Sequence, residues 1–206
     1  GAFDVTVGPL IKLWGFYHKV PLSSMPPNEA IDKTLASIGY RGLVVDRDAG
    51  TVTKTVEGLE VDLSAIAKGR AVDMAVEALE KLGHKDFMVE VGGEVRAKGK
   101  NAKGEPWRIG IENPSTGARR RVDKVVPLEN MALATSGDYR SFYMLNGKRI
   151  SHTVNPVTGR PVEHTLASVS VLAEDCMTAD ALATALTVLG DNKGLELAQK
   201  NGWAAY

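Results

Sequence analysis

Little in this sequence points to a disulfide-bonded, membrane-spanning or nucleic-acid-binding protein. Cys176 is the only cysteine, so no intramolecular disulfide can form. The sequence contains no run of 18 apolar residues and no recognisable signal peptide. Its 25 basic residues equal its 25 acidic ones, whereas nucleic-acid binding favours a basic excess. We therefore expect no nucleic-acid partner, although a local patch would still suffice to bind one small anion.

The chain has the size and composition of one folded domain. Its 206 residues, 44% of them apolar and 24% charged, suffice for one sizeable core. Helical and strand patterns follow one another without repeats or linkers, so we predict a single α+β domain over residues 1–206 with mostly antiparallel strands. The sequence begins at Gly1 without a Met and stops at Tyr206 in a predicted strand. We therefore expect both ends to have been trimmed.

Residues 60–83 predict a strand that turns into a helix. Polar and apolar side chains alternate over 60–64, and from Ala71 the apolar residues recur every three or four positions until Gly83. The free backbone N–H groups of such a turn suit a phosphate, Lys68 adds a cation, and Asp62 adds an acceptor for a hydroxyl or a base N–H. On this segment alone, an ordinary β–α junction with a surface lysine is the commoner interpretation.

Three further patterns predict local structure. Phe87–Val91 is an apolar strand, which we expect residues 94–97 to continue beyond Gly92-Gly93. Asn146-Gly147 between two short strands is a strong hairpin signal. Residues 178–189 are apolar on nearly all sides and precede Gly190, which predicts a buried helix.

Asp180, Ala183 and Thr184 share one face of that predicted helix. An Asp in an apolar helix is costly unless it is paired or bound to a metal. A carboxylate and a Thr hydroxyl supply oxygen ligands, which suit Mg²⁺. The alternative, equally open on these residues, is that Asp180 or Thr178 caps the start of the helix.

His152 follows a predicted hairpin strand and precedes a proline loop. A His at such a place is able to act as a general base near pH 7. No Gly-x-Ser-x-Gly segment is present to make Ser151 a nucleophile. Taken alone, a structural role for His152 is the commoner interpretation.

Together, seven segments of the chain resemble the ApbE family, the FAD:protein FMN transferases, in that family's order and spacing. They are GAFDVTVGPLIKLWGF, VDLSAIAKGRAVD, VEVGGEVRAKG, WRIGIENP, LATSGDYRSFY, SHTVNPVTGRPVEH and TADALATALTVLG. The resemblance implies an ApbE-like (T-fold-related) α+β domain of mostly antiparallel sheet packed with helices. It also implies an enzyme that uses Mg²⁺ to transfer FMN from FAD to a Thr or Ser hydroxyl of an acceptor protein, with release of AMP.

The same resemblance implies roles for particular residues. His152 corresponds to the proposed base that deprotonates the acceptor hydroxyl. The metal would be held by the Ala65 backbone oxygen, by Asp180 and Thr184, and by the position of Ala183, which here offers only its backbone. The expected FAD contacts are Ala2, Phe3, Asp4, Asp62, Lys68 and Val154.

The resemblance also sets expectations for partners and location. The acceptors would be flavoprotein subunits of membrane redox complexes, and the enzyme would be periplasmic, anchored as a lipoprotein in its full-length form. Family members are longer, so we expect this chain to lack their N-terminal segment. Where the family commonly has an Asp after its Ser-His, this chain has Asn155. Two alternatives remain open: an FAD pyrophosphatase that uses water as the nucleophile, and a flavin-binding protein without catalysis.

Overall fold

The structure, a computed structural model, describes residues 1–17, 21–114, 121–137 and 141–206. The chain forms two compact units. The first unit comprises Gly1–Leu63 and Ser141–His164, and the second comprises Ser64–Arg140 and Thr165–Tyr206. The single domain expected over 1–206 therefore remains a prediction.

The described residues form four α-helices and thirteen strands. The helices are α1 (Gly8–Leu13), α2 (Asn28–Ala36), α3 (Ser64–Lys81) and α4 (Cys176–Asn201), with a short 3₁₀ helix at Tyr40–Gly42. The strands are β1 (Leu43–Asp46), β2 (Thr51–Lys54), β3 (Phe87–Val91), β4 (Glu94–Lys98), β5 (Trp107–Glu112), β6 (Val122–Leu128), β7 (Ala132–Gly137), β8 (Phe142–Leu145), β9 (Lys148–Ser151), β10 (Val154–Asn155), β11 (Arg160–Pro161), β12 (Ser168–Ala173) and β13 (Ala204–Ala205). Within the described ranges, no helix is long and apolar enough to cross a membrane.

The first unit packs two short helices against small antiparallel hairpins. Its core holds Leu10 of α1, Trp14 directly after α1, Ile31 of α2 and Ile150 of β9. The Trp14 ring also donates its N–H to the Gly159 carbonyl oxygen at 2.8 Å, which ties α1 to the loop between β10 and β11. This loop lies four residues after His152, beyond β10, so the bond ties the segment that follows the predicted base to α1.

The second unit is an antiparallel five-stranded sheet in the order β13-β12-β7-β4-β3. The helices α3 and α4 pack on each other and on this sheet, and the β5–β6 hairpin packs against apolar side chains of β4 and β7. Successive side chains of β4 point to opposite faces of the sheet. Val95 and Ala97 contact the hairpin on one face. On the other face, ion pairs with α3 are formed by Glu94, Arg96 and Lys98. The sheet therefore presents charged side chains to one of its helices.

Most of the predicted elements are confirmed, and the α+β class with antiparallel sheets packed with helices is correct. Asn146 and Gly147 both have positive φ, as the predicted β8–β9 hairpin turn requires. Gly190, at φ 77° and ψ −179°, interrupts α4 where the sequence predicted one helix to end.

Two local predictions are wrong. Residues 94–97 do not extend β3; Gly92 and Gly93 have φ values of 60° and 102°, and the chain turns back as β4 beside β3. Two positive φ values favour a tight hairpin turn over a bulge in one strand. Residues 60–63 form no strand: a single backbone bond, from the Asp62 N–H to the Val5 carbonyl oxygen, joins this irregular segment to another, and one bond does not make a ladder.

Candidate functional site

The second unit brings α3 and α4 into very close contact at Gly69. A Cβ atom at this position would lie 2.5 Å from the Cys176 carbonyl oxygen and 2.8 Å from the Met177 Cα. Only glycine lets the two backbones approach this closely. The start of α4 is therefore held against the first turns of α3, where the sequence predicted a ligand site.

Asp180 reaches across this contact. Its side chain is buried, with 3% of the residue exposed, and its Oδ2 accepts the Gly69 N–H at 3.1 Å. Burial raises the pKa of Asp180, while the Gly69 N–H and the Lys68 ammonium oppose that rise. The carboxylate is thus placed by the crossing itself, with one backbone donor among the described residues.

Ala65 and Asp180, both predicted metal ligands, meet at the Gly69 amide. In a regular α-helix the N–H of Gly69 points to the carbonyl oxygen four residues earlier, which is that of Ala65. The Asp180 carboxylate also accepts this N–H, so regular helical geometry places the two oxygens beside the same donor. Adjacent oxygens that compete for one donor are a suitable pair of ligands for a hard cation such as Mg²⁺.

Thr184 lies one helical turn beyond Asp180. Its hydroxyl is 3.0 Å from the hydroxyl of Ser136 on β7. Either hydroxyl is able to donate, so Thr184 has an acceptor oxygen available when Ser136 donates. The predicted donor set thus contains a carboxylate, a hydroxyl and a backbone carbonyl, all of them oxygens that fit Mg²⁺.

Ala183 fits this set less well. It is fully buried, and its carbonyl oxygen accepts the Thr187 hydroxyl at 2.8 Å. A metal ligated by that oxygen would have to compete with this hydrogen bond. The role of Ala183 remains a prediction, as do those of Ala65, Asp180 and Thr184; among the described residues, no group of three His, Cys, Asp or Glu side chains forms a metal site.

Lys68 pairs with a carboxylate that the sequence did not single out as its partner. Its ammonium bonds to Oε1 of Glu94, whose side chain is 1% exposed. Burial raises the pKa of Glu94, the Lys68 ammonium opposes that rise, and the nearby Asp180 adds to it. With all three groups ionised, two buried carboxylates face one ammonium, and this local excess of negative charge favours a further cation.

Asp73 is a structural residue that the sequence analysis missed. Its carboxylate accepts the N–H groups of Cys176 and Met177, both at 2.9 Å, and bonds to Arg96 at 2.6 Å. These two N–H groups lack partners within α4, and Asp175 caps the next one, at Thr178. The sequence did contain a signal for this role. Asp73 follows Val72 at the apolar face of α3, and a charged side chain there needs a partner.

His152 lies in the first unit, where Ser141 fixes its ring. Its Nδ1 is 3.1 Å from the Ser141 carbonyl oxygen, and its backbone N–H donates to the same oxygen at 3.1 Å. A carbonyl only accepts, so Nδ1 carries the proton, and in the neutral ring Nε2 carries the lone pair. This tautomer gives the predicted base a proton-accepting nitrogen.

Asp4 is tied into the first unit by its own side chain. Oδ1 accepts from the backbone N–H and the hydroxyl of Thr6, at 2.9 and 2.5 Å, and Oδ2 accepts the Tyr40 N–H at 3.0 Å. Ala2 and Phe3 precede this network and are partly exposed. The network therefore orders the segment in which three FAD contacts are predicted.

Asp62 and Val154 are the other predicted FAD contacts of the first unit. The Cβ of Asp62 lies 3.3 Å from the position that a Cβ on Gly8 would take, so Asp62 is beside the start of α1. Val154 is buried in the core with Leu10 and Trp14. Because its side chain is occupied there, a contact of Val154 with a ligand would involve its backbone.

Asn155, where the family commonly has Asp, makes bonds that an Asp would also make. Its Oδ1 accepts the N–H groups of Val157 and Thr158 at 2.8 and 3.3 Å. A carboxylate oxygen at the same place would accept both, so the turn does not depend on the amide. The departure therefore leaves the loop after His152 intact.

The model of the ApbE family matches residues 1–206, and the chain belongs to this family. Along its whole length it is similar to a protein of Haemophilus influenzae named FAD:protein FMN transferase, with 48% identity. A protein of the same name from Vibrio cholerae is 44% identical over 98% of the chain.

Solved structures agree with the fold. The apo form of the flavinyl transferase ApbE of Pseudomonas stutzeri matches all of this chain at a TM-score of 0.87 and 43% identity. The chain spans 62% of that structure and about 60% of the length of the curated relatives. The predicted family and its ApbE-like fold are thus confirmed.

Proposed function

We propose that this chain carries the FMN-transferring part of a Mg²⁺-dependent FAD:protein FMN transferase. The observation that carries the proposal is its similarity, over 98–100% of its length, to proteins with that name. The oxygen site around Asp180 and the tautomer of His152 support it independently, because transfer from a pyrophosphate needs charge stabilisation and a base.

The proposed reaction exchanges one phosphate–oxygen bond for another. The oxygen of a Thr or Ser hydroxyl on the acceptor protein forms a bond to the phosphorus of the FMN half of FAD. The bond from that phosphorus to the bridging oxygen breaks, and AMP leaves with the electron pair. The hydroxyl proton has to move to a base, and Nε2 of His152 supplies the lone pair for it.

We propose that Asp180, Thr184 and the Ala65 carbonyl hold the Mg²⁺ ion. When bound, Mg²⁺ would stabilise negative charge on the pyrophosphate oxygens. The burial of Asp180 suits this role, since a carboxylate in a low-dielectric site attracts a cation more strongly than one in water. Lys68, at the same end of α3, would contribute a positive charge for a phosphate of FAD.

The acceptor and the location follow from the family alone. We propose that the acceptor is a flavoprotein subunit of a membrane redox complex that offers a Thr or Ser hydroxyl. We further propose a periplasmic location for the complete protein.

The proposal is tested by incubating the chain with FAD, MgCl₂ and an acceptor domain that contains the target Thr, followed by intact mass spectrometry. Transfer predicts an acceptor heavier by one FMN and an equal amount of AMP. FMN and AMP free in solution, with the acceptor unmodified, would instead establish an FAD pyrophosphatase. FAD that binds but stays uncleaved would establish a flavin-binding protein.

His152→Ala tests the base in the same assay. We expect a loss of transfer rate of about 10²–10⁴-fold with little change in FAD affinity, because a general base acts in the chemical step. His84→Ala is the matched control, since His84 is exposed and has no predicted role. Equal losses of FAD affinity and rate in His152→Ala would make His152 a ligand contact or a structural residue.

A further inference from the structure

Among the described residues three ion pairs connect β4 to α3, and Lys68–Glu94 differs from the other two because it joins a buried acid to a half-exposed cation. Lys98–Glu80 joins a lysine to an acid whose side chain is 44% exposed, as is usual at a surface. Lys68–Glu94 reverses this arrangement: the acid is 1% exposed, and the lysine is the half-exposed partner at 44%. The buried member of this pair is therefore an acid that is costly to desolvate.

The chain leaves room for this particular lysine. A Cβ atom on Gly92 would lie 3.1 Å from the Cδ atom of Lys68, tighter than an ordinary contact. Gly92 also has a φ of 60°, which glycine adopts at no steric cost. The β3–β4 turn thus serves two needs: it reverses the chain and gives the stem of Lys68 a path to Glu94.

The pairing restricts a side chain that otherwise has many conformations. A lysine side chain loses much of its rotamer entropy when it is fixed in one conformation. Here Glu94 fixes it before any ligand arrives, so a phosphate that meets Lys68 does not have to order it. An ammonium has three N–H donors, and the bond to Glu94 uses one of them.

We propose that Glu94 is a positioning residue, which holds the Lys68 ammonium at the N-terminal end of α3 in the place where it meets a phosphate of FAD. This inference rests on the proposed function, because it takes the phosphates of FAD as the ligand. It assigns to Glu94 no contact with FAD and no part in the chemical step. Its effect is exerted through Lys68 alone.

The first test compares FAD with a flavin that lacks its diphosphate and adenosine. The affinities of the 206-residue chain for FAD and for riboflavin, which has no phosphate, are measured by quenching of flavin fluorescence. We expect Glu94→Gln to weaken FAD binding about tenfold, equivalent to about 1.4 kcal/mol, and to leave riboflavin binding unchanged. A purely structural role for Glu94 would weaken both ligands alike and would overturn the inference.

Two further variants show whether Glu94 acts through Lys68. Lys68→Gln should weaken FAD binding at least as much as Glu94→Gln, and the double variant should be no weaker than Lys68→Gln alone. Additive losses in the double variant would contradict the inference. Lys98→Gln, which breaks the exposed pair with Glu80, is the matched control and should change neither affinity.

A second measurement is independent of flavin. Proton–nitrogen NMR spectra tuned to lysine ammonium groups should contain one slowly exchanging signal that disappears in Lys68→Gln. This signal should also be lost in Glu94→Gln and be kept in Lys98→Gln; its persistence in Glu94→Gln would overturn the anchoring of Lys68. If the unmodified chain binds no FAD, the proposed function fails together with the ligand part of this inference, and the NMR signal alone decides whether Glu94 holds Lys68.

Discussion

Asp73 and Asp180 are both buried aspartates at the contact between α3 and α4, but their surroundings differ. Asp73 accepts two backbone N–H groups from the start of α4 and bonds to Arg96. Asp180 accepts one backbone N–H, and burial raises its pKa. The first carboxylate has three donors within the protein, whereas the second has one among the described residues and keeps oxygen lone pairs for a further partner.

The comparison separates a structural acid from a candidate ligand. A buried carboxylate costs several kcal/mol to desolvate, and hydrogen bonds and an ion pair offset that cost only when they are numerous and well placed. The contacts of Asp73 meet this condition within the protein. Those of Asp180 meet it better when a cation is added, which is the physical argument for the proposed Mg²⁺ ion.

Asp73→Ala is expected to have the largest effect on stability. It leaves Arg96 without its carboxylate and the Cys176 and Met177 N–H groups without acceptors. Loss of one partner of a buried pair typically costs about 3–5 kcal/mol, and we expect a decrease of this size in the free energy of unfolding, measured with urea. A decrease below about 1 kcal/mol would mean that water replaces Asp73 at the start of α4.

The hydrogen bonds at the N-terminus of α4 show which contacts the sequence could predict and which it could not. Asp175 has the residue type and position of an N-cap, and the structure confirms this local rule in its bond to Thr178. The sequence analysis instead considered Asp180 and Thr178 as possible caps. The contribution of Asp73 is not predictable by spacing, because it comes from 103 residues earlier in the chain.

The same distinction holds for the rest of the candidate site. The shared helix face of Asp180 and Thr184 was predictable, since helical spacing alone sets it. The pairing of Lys68 with Glu94 depends on how β4 turns back at Gly92-Gly93, and the sequence analysis expected the strand to continue there. The tautomer of His152 depends on the Ser141 carbonyl oxygen, a tertiary contact between neighbouring hairpin strands. Local sequence patterns thus predicted which residues are candidates, and tertiary contacts determined their hydrogen-bond partners and, for His152, the tautomer.

Asp180→Asn should remove the response to Mg²⁺ without unfolding the protein. The amide is isosteric, its oxygen still accepts the Gly69 N–H, and the buried charge is gone, so we expect a change in unfolding free energy within about 1 kcal/mol. In the unmodified chain, Mg²⁺ at 100 times its dissociation constant should stabilise the fold by about 2.7 kcal/mol. Urea unfolding with and without MgCl₂ measures both quantities.

The control for this experiment is Asp73→Asn, which should lower stability and keep the Mg²⁺ response. Mg²⁺ stabilisation that persists in Asp180→Asn would show that the ion binds elsewhere. Loss of the response in both variants would show that it depends on the general packing of α3 against α4. The two aspartates then would not have the separate roles that their contacts indicate.

The reactivity of Cys176 tests the comparison of Asp73 with Asp180 at the start of α4, with the smallest effect that we expect. The thiol is fully buried at the start of α4, and burial, with the nearby Asp73 carboxylate, raises its pKa to about 12. At pH 8 it is almost entirely protonated, so a disulfide reagent should react only when the start of α4 opens. We expect Asp73→Asn to speed this reaction about tenfold or more, because it weakens the hydrogen bonds to the two N–H groups at the start of α4. Asp180→Asn should leave the rate within about twofold. The reaction is followed by release of the coloured thiolate in native buffer; equal acceleration by both variants would mean that the two carboxylates hold the helices together in the same way.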